Sequence, residues 1–158
     1  MRPRPHRRLL LLVVVLLAAS ALLVARRLLV VVRVRGTSMA PTLQPGDRVL
    51  LRRAPAERLR RGQIVVLEPI GPGGRWGTGP LPDPAAADWL VKRIAAMPGD
   101  PVPEEVADRQ GLPAGTVVPA GQLVVLGDGV HSSDSRVWGY VPFDRVLGVM
   151  LRALVSMS

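Results

Sequence analysis

The chain contains no cysteine, which excludes disulfides, thiolate metal sites and cysteine nucleophiles together. Aromatic residues make up only 3 % of its 158 residues, too few for the stacking platform that single-stranded nucleic acid needs. Lysine is nearly absent: Lys92 is the single lysine among 21 basic residues. Acids are missing from the first 35 positions, which hold eight of those basic residues. The net charge of +9 therefore belongs to the flanks of an N-terminal apolar segment, and the remainder is nearly balanced. That distribution points to a membrane and away from a nucleic-acid partner. The block Arg52, Arg53, Arg58, Arg60 and Arg61 reads as a solvated loop or as a contact for anionic headgroups. There is no GxxxxGK[ST], no HExxH and no GxSxG, because Gly36-Thr37-Ser38-Met39-Ala40 carries alanine where the second glycine would be. With His6 and His131 far apart in sequence, neither a metal nor a cofactor is expected.

Residues 1–8 are arginine- and proline-rich, which predicts a basic, unstructured head. Leu9 to Ala25 is an apolar run interrupted only by Ser20. As a helix with ~1.5 Å rise per residue it spans about 26 Å, slightly short of a ~30 Å hydrocarbon core. Snorkelling of Arg26 and Arg27 makes up the difference, so residues 9–27 are expected to form one transmembrane anchor. The competing reading is a cleaved signal peptide ending at Ala19-Ser20-Ala21. Its apolar region, however, continues through Leu22-Leu23-Val24. Four arginines on each side leave the orientation open.

From residue 28 to 158 the pattern changes to short β-branched runs between Gly/Pro turns. Strands are expected at Leu28–Arg35, Arg48–Leu51, Gln63–Leu67, Trp89–Met97, Gln122–Leu126 and Val146–Leu154. Residues 71–84 read as a long Gly/Pro-rich loop with Trp76 alone in its middle. Residues 101–121 read as two turns and little else. The fold class this predicts is all-β, a barrel-like or sandwich domain following one N-terminal transmembrane helix.

Chemistry centres on Ser38, which stands between a glycine and a proline-bounded turn. A serine hydroxyl needs a partner base before it acts as a nucleophile. Two arrangements supply one. A triad takes Ser38, His131 and either Asp128 or Asp134, although Ser132-Ser133-Asp134-Ser135 beside the histidine reads as surface-turn chemistry. A dyad takes Ser38 and Lys92. A lysine base must be neutral and therefore desolvated. Lys92 lies among Val91, Ile94, Ala95 and Ala96, with Arg93 alternating to the opposite, solvated face. An edge-strand lysine exposed to water fits the same spacing.

Ser38-Met39-Ala40-Pro41-Thr42-Leu43 followed by Pro45-Gly46-Asp47 resembles the nucleophile box of type I signal peptidases. Arg61-Gly62-Gln63-Ile64-Val65-Val66 resembles their second box, with Gln63 where aspartate is usual. Lys92-Arg93-Ile94-Ala95-Ala96-Met97-Pro98-Gly99-Asp100 is similar to their general-base box. Gly127-Asp128 and Ser132-Ser133-Asp134-Ser135-Arg136-Val137-Trp138-Gly139 resemble the last, one residue shorter than the common form.

The resemblance implies a membrane-anchored serine endopeptidase that cleaves signal peptides from exported preproteins after small residues. It is expected in the cell membrane as a single-pass protein with its catalytic domain outside the cytoplasm. Its partners would be signal-peptide-bearing preproteins and the lipid bilayer. By the resemblance Ser38 is the nucleophile and Lys92 the base, Ser132 orients the amine, and Asp134 and Arg136 pair beneath it. The Ser38 N–H would donate to the oxyanion; the position two before it is Gly36, where some members carry an assisting serine, and Thr37 is nearby. Met39, Leu43 and Val91 are candidates for lining shallow apolar pockets, and the substrate would add as a strand beside Val34 or Leu90. The short stretch between Asp100 and Gln122, where longer members carry a second β-domain, suggests a minimal catalytic core. Two alternatives stand beside this: a maturation peptidase dedicated to one precursor, and a non-enzymatic membrane-tethered β-domain.

Overall fold

A computed structural model describes residues 5–84 and 88–154. Helix α1, Pro5–Leu28, runs without a loop into strand β1, Leu29–Arg33. Residues 1–4 of the expected head lie outside the described residues. The rest of the head is helical, because proline is tolerated in the first turn, where its missing N–H would be unpaired anyway. Leucines and valines from Leu9 to Val24 point outward all around α1; Leu9 is 63 % exposed and Val24 56 %. Among the described residues no helix is long and apolar enough to cross a membrane.

The strands that follow are β2 (Arg48–Arg52), β3 (Ile64–Leu67), β4 (Leu90–Ala96), β5 (Gln122–Leu126), β6 (Val141–Pro142) and β7 (Val146–Leu154). They form one antiparallel sheet in the order β1-β2-β7-β3-β4-β5-β6. The domain is mostly β. Two further short helices accompany the strands, α2 (Glu104–Gln110) and α3 (Ser135–Trp138). Helix α2 lies where only turns were expected. Its signals are local: Glu104 and Glu105 in the first turn, Arg109 in the last, and Gly111 closing it in the left-handed region at φ 63°.

The sheet is covered on both faces. Along β3, Ile64 and Val66 enter one apolar cluster with Met39, Leu43, Val49, Leu51 and Val91. Val65 and Leu67 enter another with Leu59, Ile94, Leu123 and Val141. A strand buried on both sides reads as an unbroken apolar run, which is why Ile64-Val65-Val66-Leu67 shows no polar alternation. Val102, Val106 and Val118 form a third cluster with Ala96 and Val124, under α2.

Strand β7 joins the two halves of the sheet. Its first part pairs with β3 and its second with β2, with register irregularities on both sides. Gly148 sits at this junction, where an added Cβ would collide with the Arg52 carbonyl oxygen. Gly148→Ala is therefore expected to push β2 and β7 apart and cost about 2 kcal/mol, read as a lower denaturant midpoint at unchanged slope.

Candidate active site

Lys92 lies at the middle of β4, opposite Val65 of β3, with its side chain on the face that carries Leu67 and Ile94. It is 2 % exposed. The β-strand period of two places Lys92 inside and turns Arg93 the other way. Arg93 does not stay simply solvated as expected. Its Nε and Nη2 donate to Asp128 Oδ1 and Oδ2 at 2.9 and 2.6 Å. Asp128 also accepts from Thr42 Oγ1 at 2.6 Å. Hydrogen bonds from Arg93, set against burial and aided by Thr42, hold the Asp128 carboxyl below its ordinary range. One carboxylate thus ties the Ser38 turn, β4 and the segment after β5 together.

The Ser38 turn is built locally. Ala40 N–H donates to Thr37 O at 3.0 Å and Leu43 N–H to Met39 O at 2.9 Å. The Ala40–Pro41 bond is cis. Val34 N–H donates to Asp47 O and Gly46 N–H to Val34 O, which closes the base of the loop. Gly36 has φ 76°, and nothing lies within 4 Å of a Cβ placed there. The glycine therefore serves the backbone conformation, and a side chain at this position is disfavoured by strain instead of by space. Thr37 is exposed and Ser38 half-buried.

Two glycines let the Ser38 turn dock against the segment after β5. Gly129 N–H donates to Ser38 O at 2.9 Å. A Cβ on Gly127 would strike both Ser132 Oγ and Ser38 O, and one on Gly129 would strike Thr37 O. The backbone of Ser38 and the hydroxyl of Ser132 consequently meet over the same glycine. Lys92 Nζ donates to Ser132 Oγ at 3.0 Å, and the Ser132 hydroxyl in turn bonds to Asp134.

Asp134 is fully buried. Its Oδ1 accepts from Arg136 N–H (3.2 Å) and Nε (2.9 Å), and its Oδ2 from Gly127 N–H (2.9 Å) and Arg136 Nη2 (2.7 Å). Burial alone would raise its pKa, but the Arg136, Gly127 and Ser132 bonds outweigh it and keep the carboxylate charged. Buried Ser135 accepts from Val125 N–H at 2.9 Å, which fastens α3 to β5. Helix α2 braces the other side: Glu105 pairs with Arg136 Nη1 at 3.1 Å, and Gln110 Nε2 donates to Arg136 O at 3.0 Å.

For Lys92, burial is the largest influence and lowers the amine pKa from 10.5 to about 8; Asp134 opposes this and Arg136 adds to it. A charged lysine in this setting is costly, so the amine gives up its proton more easily than an exposed lysine does.

Of the two sequence readings of Lys92, the buried one is the one found here, and Ser132, Asp134 and Arg136, grouped only by the family resemblance, lie beside it. His131 is exposed, as the surface-turn reading has it. Met39, Leu43 and Val91 are core residues, exposed by 1 %, 1 % and 5 %. The Thr42–Asp128–Arg93 link, the Ser135 bond and the two docking glycines escaped the sequence reading, although Gly127-Asp128-Gly129 marks the place.

A cleft of about 210 Å³ runs past the outer edge of β1, lined by Val31, Val32, Arg33, Arg35, Pro84, Asp88 and Trp89. Arg35 and Asp88 form an ion pair across it. The pairing of β4 with β5 begins at Arg93, so Leu90 to Lys92 have no strand partner on that side among the described residues. A larger cavity of about 370 Å³, lined by Glu105, Asp108, Arg109 and Arg136, includes neither Ser38 nor Lys92.

Residues 7–109 and 103–154 match the family described as signal peptidase, peptidase S26. A probable signal peptidase I-2 of Synechocystis sp. is 34 % identical over 135 residues, covering 73 % of this chain and 58 % of the relative. A signal peptidase I of Leptolyngbya laminosa is 31 % identical over 130 residues, covering 70 % and 61 %. The chain spans about three fifths of the length of these curated relatives.

Because its folded pKa is depressed, Lys92 makes stability rise with pH between about 8 and 10.5. Below this window the unfolded chain and the folded chain both hold the proton, and the buried charge is a net cost. Lys92→Met is expected to raise stability by about 2 kcal/mol at pH ~6.5, after allowance for solvent screening. The gain should shrink as pH climbs through the window. Urea unfolding at a series of pH values checks it.

Proposed function

As a chain that belongs to the signal peptidase S26 family, this protein, we propose, is a serine endopeptidase that cleaves signal peptides from exported preproteins with a Ser38–Lys92 dyad. The observation that carries this reading is the buried Lys92 amine, held by Ser132 and lowered to about 8 by burial. That protonation state suits a base working near neutral pH.

In the proposed reaction, neutral Lys92 takes the Ser38 hydroxyl proton as Oγ attacks the scissile carbonyl. The Ser132 hydroxyl accepts one amine N–H, which leaves the lysine lone pair to face the nucleophile. The Ser38 N–H, with Thr37 close by, donates to the oxyanion as charge develops. The ammonium then protonates the leaving amine, and an ester to Ser38 remains. Water, deprotonated by Lys92, attacks that ester, the acid is released, and the ammonium returns the proton to Ser38 Oγ. Asp134 and Arg136 keep Ser132 in place and do not touch the reacting atoms.

The extended preprotein would lie along the open edge of β4 at Leu90–Lys92, facing β1 and its cleft, with main-chain hydrogen bonds supplying affinity that is independent of sequence. Met39, Leu43 and Val91 would form the floor of shallow pockets, and a rigid floor admits alanine-sized side chains by excluding larger ones. Helix α1 would hold the chain at the cell membrane, with the catalytic domain on the extracytoplasmic side. Its exposed apolar surface from Leu9 to Val24 supports this. So does its direct continuation into β1, which would hold Ser38 close to the bilayer.

Cleavage of a model preprotein in detergent tests the reading. Ser38→Ala and Lys92→Arg are each expected to lower kcat/KM by at least ~10³-fold while the protein stays folded, because arginine cannot serve as the base. Activity near wild type in Lys92→Arg would rule out the dyad. The rate should climb with pH on a limb centred near the Lys92 value of about 8.

A further inference from the structure

Trp76 belongs to a Gly/Pro-rich loop, and nothing in the proposed chemistry accounts for it. The loop is tied down at three places. Buried Arg145 donates from Nη1 to Glu68 Oε2 at 3.0 Å and from Nη2 to Gly79 O at 2.8 Å. The Trp76 indole N–H donates to Tyr140 O at 3.0 Å. So anchored, Trp76 packs edge-to-face on Trp138, with ring centroids 6.1 Å apart and planes at 85°. Trp138, at the end of α3, is itself pinned by its indole N–H, which donates to Ser133 Oγ at 2.8 Å. Its ring centroid lies 5.7 Å from Lys92 Nζ. Both indoles join the apolar cluster that holds Val65, Leu67 and Ile94.

We propose that Trp138, backed by Trp76, is the wall that keeps water from the Lys92 amine, so that docking of the loop after β3 keeps that amine desolvated. Both are positioning residues, and the proposal rests on the Ser38–Lys92 reading only for its catalytic consequence. An aromatic ring beside an amine acts in two directions. Its negative face favours the ammonium form, while its bulk excludes the water that ammonium needs. Burial is the leading influence on Lys92, so water exclusion prevails here.

The other groups that face the amine are accounted for. Around α3, Ser132 accepts its hydrogen bond, Asp134 favours the charged form and Arg136 opposes it. On β4, Arg93 engages Asp128. β3 presents Val65, and the loop's Glu68 is held by Arg145. None of these would move if Trp76 alone were shortened.

The chain carries one lysine, so 13C labelling at the lysine ε-carbon gives one resonance, and its titration reads Lys92 directly. The titration is run on the full chain in detergent for wild type, Trp76→Ala and Trp76→Phe, beside the pH profile of kcat/KM on a model preprotein. With Trp76→Ala, the Lys92 midpoint is expected to rise by about one pH unit. The limb on which the rate climbs with pH should move up with it, giving a roughly tenfold loss at pH ~7 that is recovered at high pH. Trp76→Phe, which keeps an aromatic edge on Trp138, should behave as wild type. Trp138→Phe provides a second probe in contact with the amine and should shift the midpoint in the same direction by less. Unchanged midpoints in Trp76→Ala and Trp138→Phe would overturn the wall. A raised midpoint with an unmoved rate profile would leave the wall standing and remove Lys92 from the role of base.

Discussion

A primary amine shut away from water at the middle of a sheet is the constraint to which the surrounding structure responds. Burying an ammonium without compensation is costly, and the amine answers by yielding its proton more easily. The neighbours of Lys92 keep that response moderate. Ser132 accepts one hydrogen bond, and Asp134 supplies a negative field from behind it. Arg136 satisfies Asp134 so completely that the carboxylate stays charged despite its burial. Removing Arg136 would leave the buried Asp134 carboxylate short of its main partner, the costly way to break such a network.

Much of the remaining architecture serves to bring these groups to the same place. Gly127 and Gly129 allow the Ser38 turn to sit against the segment that carries Ser132. The Arg93–Asp128–Thr42 link fastens that turn to β4 from the opposite face of the strand. Helix α2 props α3 through Glu105 and Gln110, so a helix far from Ser38 bears on the position of Asp134. A short turn made of α3 and its approach therefore presents a hydroxyl, a carboxylate and an aromatic ring to one amine.

The strands were legible because their causes are local. β-branched runs broken by Pro-Gly and Gly-Asp turns marked β1 to β5 and β7, whereas period-two alternation put Lys92 and Arg93 on opposite faces without deciding which face is buried. Helix α2 also had local signals, in Glu104, Glu105 and Gly111, which the surrounding prolines and glycines masked. The two-residue β6 could not have been found, since a strand so short exists only through its pairing with β5. Nor could the strand order of the sheet, because it depends on pairings between segments distant in sequence.

The identity of the candidate site residues was contained in the sequence: a serine in a Pro-bounded turn, one lysine in an alternating strand, and the Ser132–Arg136 segment. Their motifs are contiguous, and contiguous patterns survive without coordinates. How deeply the amine is buried, which hydroxyl it bonds, which arginine is paired instead of solvated, and what stands between Lys92 and water were decided only by tertiary structure. Desolvation is a sum over every neighbour, and here those neighbours are supplied by β3, the loop carrying Trp76, the segment after β5 and α3. No local pattern of residues encodes that sum.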